Sequence, residues 1–296
     1  MRDPFFGLTR SSGSDTLVVV GIPWDLTSSY RRGASGGPNA IRMDTDGALY
    51  NRYSERGMDL ADVWRVCDHG NVRKVKAASK LRKSIQVRTR LHHHRDQRTL
   101  FLGGDHYVTY PAFELIAEAE SKPLSLLYFD AHPDLYQSYE GSLHSHATVV
   151  SRIVENPKAS TGRVCYVGIR ASTKEQDRRI RQLGLTKFTS NDVYRKGCEA
   201  IGASVKTLLT DKLVYLSIDL DCLDPAYAPG VANPQPAGLS TRQLFDILHG
   251  LDGLKVVAAD IVEYSPNCEP KPRTTGFTAA VLIKEIMQLL SSTRRS

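Results

Sequence analysis

The sequence predicts an α/β protein: a single-domain, three-layer α/β/α fold around a central, mostly parallel sheet, of the size class that α/β folds reach undivided. Three observations carry that expectation. Short aliphatic runs alternate with segments of helical period along nearly all of the 296 residues. Those runs read as strands buried on both faces, the pattern of a sheet covered by helices above and below. Apolar residues make up 41% of the chain and charged residues 24%, which suits one large core and excludes disordered, collagen-like and coiled-coil classes.

The elements follow in order. Residues 17–22, Leu-Val-Val-Val-Gly-Ile, form a first strand that ends at Pro23. Gly36-Gly37-Pro38 opens a helix running to about residue 48, with proline early in the first turn, where its missing N–H costs nothing. Ten Lys or Arg against one acid, Asp96, fall between Arg73 and Arg98, and Val75, Ala78, Leu81 and Ile85 recur there at helical spacing. This stretch is expected as an amphipathic helix with a solvated cationic face; no aromatic residue interleaves the charges to stack on bases, so nucleic acid is not an expected partner. Further strands are expected at 99–103, 124–130, 164–169, 213–219 and 256–262. Helices are expected at 111–120, 146–154, 192–209, 241–251 and 278–290. No repeat or Pro/Ser/Gly-rich linker divides the chain. Residues 1–16 read as an N-terminal extension, 17–291 as the α/β domain and 292–296 as a C-terminal tail.

Composition removes other classes. No run approaches the roughly 18 apolar residues of a membrane span, and the first residues lack the pattern of a secretory leader, so a cytoplasmic location is expected. The five cysteines, Cys67, Cys165, Cys198, Cys222 and Cys268, are scattered without a CxxC pair, so neither a disulfide framework nor a zinc ribbon is indicated. Cys222, the one cysteine inside a motif, reads as a small buried apolar residue. His92-His93-His94 reads as surface.

The chemistry collects just past the strands, where open α/β sheets bind their ligands. Gly103-Gly104-Asp105-His106 follows one strand, Asp130-Ala131-His132-Pro133-Asp134 another, Asp219-Leu220-Asp221 a third, and Glu263 a fourth. Carboxylates packed this densely repel one another and raise each other's pKa, and a bound cation cluster removes the conflict. A set rich in carboxylate with two imidazoles suits Mn²⁺ better than thiolate-loving metals. A lone Gly-Gly-Asp-His is most often a turn and a lone Asp-x-Asp a cap. All three motifs in this order, each after an apolar strand, are hard to explain as capping.

Taken together, these segments resemble the ureohydrolase superfamily, the arginases, agmatinases and their relatives. Gly21-Ile22-Pro23-Trp24-Asp25, the stretch from Arg31 to Arg42, and Asp260-Ile261-Val262-Glu263-Tyr264-Ser265-Pro266 resemble its amino-terminal and late motifs, and the likeness runs over about residues 17–290. The resemblance implies an arginase-like fold and two Mn²⁺ per chain, bridged by Asp130 and Asp219. His106 and Asp134 would complete one ion's shell, and His132 and Asp221 the other's. It further implies that a metal-bridging hydroxide attacks a guanidino carbon, releasing urea and an amine, with Asp134 accepting a hydrogen bond from that hydroxide. Glu263 would pair with the guanidinium and His146 would shuttle a proton, with His144 as the alternative.

Departures from the family pattern bear on the substrate tail. Tyr136 stands where arginases place a small amide residue that helps hold the α-carboxylate, and Glu140 adds a negative charge to the same loop. Both favour an amine tail, hence agmatine. Guanidinobutyrate, guanidinopropionate, guanidine, arginine and formiminoglutamate are the alternatives within the class. A non-catalytic metal-bound regulator and a nucleic-acid binder using residues 73–98 are the alternatives outside it. The resemblance also implies a homo-oligomer, a trimer or hexamer.

Overall fold

The structure is a computed structural model that describes residues 4–8, 16–89, 97–157, 159–269 and 273–292. Eight strands form one sheet: β1 (Thr16–Gly21), β2 (Arg65–Asn71), β3 (Arg98–Leu102), β4 (Leu124–Phe129), β5 (Ala159–Ile169), β6 (Thr186–Thr189), β7 (Leu213–Asp219) and β8 (Lys255–Val262). Their order is β2-β1-β3-β8-β7-β4-β5-β6, and every pairing is parallel. The aliphatic runs explain the layering. Along β1, Leu17 and Val19 enter one core while Val18 and Val20 enter the other. Along β4, Leu127 and Phe129 alternate in the same way with Leu126 and Tyr128. Each face therefore needs helices to cover it.

One face is covered by α1 (Gly37–Asp44), α6 (Ser190–Lys196), α7 (Cys198–Leu209), α8 (Thr241–Gly250) and α9 (Thr274–Ser291). The other is covered by α2 (Leu81–Thr89), α3 (Thr109–Ala119), α4 (Val149–Val154) and α5 (Lys174–Gln182). The three-layer fold is thus the one the alternation predicts. Cys222 is fully buried in the first core. Among the described residues, no helix is long and apolar enough to cross a membrane.

Several elements differ from expectation, each for a local reason. The edge strands β2, Arg-Val-Cys-Asp-His-Gly-Asn, and β6, Thr-Lys-Phe-Thr, escape an apolar-run criterion because they are polar and mostly half-buried. Helix α5 has a single buried aliphatic residue, Ile180, and is set instead by a capping box between Thr173 and Gln176. Helix α1 stops at Asp44, short of the expected residue 48. There the Phe5 N–H donates to Thr45 Oγ1 (3.1 Å) and the Phe6 N–H to the Thr45 carbonyl (2.8 Å), so the chain's first segment docks where the helix would continue. Phe5, Phe6 and Leu8 are buried in the same core as α9. Among the described residues the basic stretch is α-helical over α2, after a 3₁₀ turn at Ala78–Lys80; Leu81 and Ile85 are buried as their spacing predicts. Residues 90–96, with His92-His93-His94, lie outside the described residues.

The expected helix at 192–209 is two helices, broken at Gly197 with φ 85° and ψ 155°. Side chains are essentially excluded from that backbone region, although nothing lies within 4 Å of a Cβ built there. Gly197→Ala is therefore expected to cost about 1–3 kcal/mol from backbone strain alone. Chemical denaturation reads this as a lowered midpoint with an unchanged slope; an unchanged midpoint would contradict the strain account.

Candidate metal centre

The four strands whose ends carry the predicted motifs, β3, β8, β7 and β4, are neighbours at the centre of the sheet. Their carboxyl ends deliver His106, Glu263, the Asp219/Asp221 pair and the Asp130–Asp134 segment to one edge. Two trios result: His106, Asp130 and Asp134, and Asp130, His132 and Asp221. Within each trio one ligand atom per residue lies within 4.8 Å of the others, and Asp130 belongs to both. His106 Nδ1 stands 2.9 Å from Asp130 Oδ2, 3.0 Å from Asp219 Oδ2 and 3.5 Å from Asp134 Oδ2. His132 Nδ1 stands 2.9 Å from Asp221 Oδ2 and 3.4 Å from Asp130 Oδ1. The six expected ligands are brought together.

Behind His106 lies a network the sequence did not reveal. Tyr215 donates to Asp260 Oδ2 (2.7 Å), Thr109 donates to the same oxygen (2.8 Å), and Ser217 donates to Asp260 Oδ1 (2.7 Å). Ser217 has spent its one proton on Asp260, so towards His106 Nε2, 2.9 Å away, it is an acceptor. That places a proton on Nε2 and turns Nδ1, 3.1 Å from the Tyr128 hydroxyl, towards three carboxylates. Tyr128 stacks on the His106 ring (centroids 4.4 Å apart, 7° between planes) and donates to Asp134 Oδ2 (2.8 Å). Ser217 and Asp260 lay inside recognised motifs; the outward signal missing was a register shift between β7 and β8 that skips Val257 and sets Ala258 beside Tyr215.

The electrostatics test whether a metal fits. Burial, then the charges of Asp221 and Asp130, push the Asp219 carboxyl well above the usual range. Burial and the charge of Asp130 push Asp134 up to about 7 and also raise Asp221. Asp130 runs the other way: burial opposes ionisation, but the His106 and His132 imidazoles hold it low. Both imidazoles are driven upward against the cost of burying their charge. Contacts with Asp130 and Asp219 do this for His106, and the charge of Asp221 leads it for His132, which reaches about 12. Asp130 Oδ2 is buried and, among the described residues, receives no directed hydrogen bond despite its closeness to His106. Ligand atoms converge on shared points instead of pairing one to one, so protons or cations must sit between them. Divalent metal fits this donor set.

Around the trios lie the other predicted residues. Glu263 Oε1 accepts the His106 N–H (2.8 Å), while Oε2 is buried with no hydrogen-bond partner among the described residues. Glu263 and Asp134 both sit at positive φ, 66° and 45°, the kind of strain that clusters at functional sites. His146 Nδ1 lies 3.6 Å from Glu263 Oε1, and its Nε2 meets the Ser29 N–H (3.3 Å) and Oγ (2.9 Å). Asp105 Oδ2 pins that loop by accepting from the Thr27 N–H (3.0 Å) and hydroxyl (2.7 Å). A cavity of about 690 Å³ opens over the centre, with Asp134, His146 and Glu263 in its wall and Tyr136, Tyr139 and Glu140 towards the outside. His144 does not line this cavity; it is exposed, and its Nδ1 meets the Tyr107 hydroxyl at 2.8 Å. The geometry therefore removes His144 as the alternative to His146 and as a substrate contact.

A parallel sheet with carboxylate–imidazole trios at its carboxyl edge defines an α/β scaffold that carries a candidate metal centre. The comparisons make this specific: the Arginase family model matches residues 15–288, and the chain belongs to that family, whose members are hydrolases acting on guanidino C–N bonds. The chain is 34% identical over 289 residues to arginase 1, mitochondrial, of Oryza sativa subsp. japonica, covering 93% of this chain and 82% of that one. It is 32% identical over 275 residues to an agmatinase of Chromobacterium violaceum, covering 93% and 83%. The crystal structure of a hypothetical agmatinase from Burkholderia thailandensis matches with a TM-score of 0.86 at 31% identity, over 95% of this chain and 87% of that one.

His146 offers a test of the site's charge balance. Burial opposes its protonation, but the hydrogen bond and charge of Glu263 outweigh burial and push it up to about 9. A group whose pKa is raised on folding adds stability below about pH 6.5, and that contribution fades as pH rises through the folded value. Metal-free wild-type protein should lose stability between about pH 6.5 and 9 relative to His146→Gln, measured by denaturation at closely spaced pH. Parallel profiles for the two proteins would contradict the pairing.

Proposed function

We propose that the chain is a manganese-dependent ureohydrolase that splits agmatine into putrescine and urea. The observation that carries the reading is Glu263 Oε2, a buried carboxylate oxygen with no hydrogen-bond partner among the described residues, in the wall of a cavity also lined by His132, Asp134, Asp219 and Asp221. An anion so placed is built to receive a cation, and a guanidinium supplies one with paired N–H donors. His106, Asp130, Asp134 and Asp219 would hold one ion and His132, Asp130, Asp219 and Asp221 the other. When bound, such a pair supplies Lewis acidity and lowers the pKa of water towards neutrality. Asp134 accepts a proton from the attacking water, and His146 moves a proton to the departing amine.

The tail of the substrate meets aromatic and anionic groups. Tyr136 and Tyr139 have ring centroids 5.3 Å apart, and exposed Glu140 follows them in the same lining. Aromatic faces beside a carboxylate favour an ammonium. Arg31, the cation in the lining, donates from Nε to the Ala232 carbonyl (3.1 Å) and from Nη2 to that of Val231 (3.4 Å), and its guanidinium lies 5.1 Å from the centre of the Tyr30 ring. Two of its five N–H groups are thereby spent on main-chain carbonyls, and we take Glu140, beside the aromatic rings, as the group that sets the charge preference.

The test is product release from manganese-loaded protein. The panel is agmatine, arginine, guanidinobutyrate, guanidinopropionate and guanidine for urea, and formiminoglutamate for formamide. Agmatine should dominate. Glu263→Gln should lower kcat/KM at least about 100-fold, the scale of breaking a buried charge pair. Glu140→Gln should raise KM for agmatine up to about fivefold with kcat unchanged, the scale of an exposed pair. Preference for a carboxylate-tailed substrate would overturn the tail assignment and leave the hydrolysis standing.

A further inference from the structure

We propose that Arg170 is a positioning residue for the Asp130–His132–Asp221 trio, setting the affinity of one metal ion and leaving the other alone; this rests on the two-metal reading above. Arg170 directly follows β5, next to β4 in the sheet, and touches neither a metal ligand's side chain nor the catalytic groups. Its backbone N–H donates to the Ala131 carbonyl (2.9 Å), and the Ala171 N–H donates to the same oxygen (3.0 Å). Ala131 is the residue between Asp130 and His132, and its own N–H donates to Asp221 Oδ1 (3.0 Å). The main chain of Arg170 thus holds one half of the trio.

The side chain holds the other half. Nη2 donates to the carbonyls of Asp221 (2.7 Å), Leu223 (3.2 Å) and Gln235 (2.5 Å). Nη1 reaches those of Cys222 (3.3 Å) and Gly168 (3.2 Å), and Nε those of Gln235 (3.2 Å) and Pro236 (3.1 Å). Every acceptor is a main-chain carbonyl. Three consecutive ones belong to the turn that presents Asp221, and two belong to the segment beside it. Gly238 permits the approach: a Cβ there would stand 2.7 Å from Arg170 Nη2.

A planar fork with five fixed N–H groups can serve several carbonyls from different segments at once, and an ammonium cannot. Without that fork, the carbonyls of Asp221, Cys222 and Leu223 lose a shared partner, and the turn is free to rotate Asp221 away from His132. Apart from Gly168 on β5, the contacts of Arg170 reach segments bearing this trio and the wall at Gln235 and Pro236. His106 and Asp134 are oriented independently, by Ser217 and Tyr128. The effect of removing the guanidinium should therefore fall on one ion.

The experiment titrates Mn²⁺ into metal-free wild type, Arg170→Gln, Arg170→Lys and the exposed control Arg242→Gln by calorimetry. Electron paramagnetic resonance distinguishes coupled from isolated ions, and the thermal midpoint of each metal-free protein checks folding. Wild type and the control should bind two coupled ions. Both Arg170 variants should bind one ion with unchanged affinity and the second about 10–100-fold more weakly, giving an isolated-ion spectrum at limiting metal. Arg170→Lys keeps the charge, so its agreement with Arg170→Gln identifies the fork as the active feature. Two tight coupled ions in either variant, or equal weakening of both ions, would overturn the role of Arg170. A wild type that fails to bind two ions would instead overturn the two-metal reading, and this proposal with it.

Discussion

The mutual repulsion of buried carboxylates shapes the centre of this protein. Asp130, Asp134, Asp219 and Asp221 are all withdrawn from water, with Glu263 beside them. Burial alone pushes most of these acids upward, and neighbouring charge adds to the shift. A fold does not keep such a cluster for stability, because desolvation of unpaired charge costs more than hydrogen bonds return. The cluster is held where four parallel strands end side by side, with the Tyr128 hydroxyl orienting Asp134, and Ser217, Thr109 and Tyr215 orienting Asp260 behind His106. That repulsion is what divalent cations bound there would relieve.

The scaffold is arranged to keep that site rigid. The Gly103-Gly104 turn runs so close to Trp24 that a Cβ on Gly104 would stand 1.7 Å from the Trp24 carbonyl oxygen, and the Asp105 N–H donates to that oxygen at 2.7 Å. The Glu263 N–H in turn donates to the Gly104 carbonyl (2.8 Å). The strained backbone of Glu263 is thereby tied to the loop that carries His106. Orientation of the groups at the candidate site follows from main-chain bonds between loops, which side-chain types alone do not announce.

This division explains what the sequence could and could not show. Buried parallel strands leave aliphatic runs, and polar residues at their ends leave Asp and His at fixed offsets, so the six central strands and the six residues they bring together were legible in one dimension. The polar edge strands β2 and β6 and the charged helix α5 have no apolar stripe and were not. Ser217 and Asp260 acquire their role through the register between β7 and β8. Arg170 and Ser29 act across more than fifty residues of chain, through contacts that exist only once the loops have met. His144 was plausible by spacing alone, and the Tyr107 hydroxyl holds it outside the cavity.

The most direct test of the two-metal account counts ions in two single-site variants, because Asp130 belongs to both trios and Asp221 to one. Elemental analysis after gel filtration should find two manganese ions per chain in the wild type, one in Asp221→Asn, and none tightly held in Asp130→Asn. Two ions retained by Asp130→Asn, or equal losses in the two variants, would contradict a centre built around a shared carboxylate.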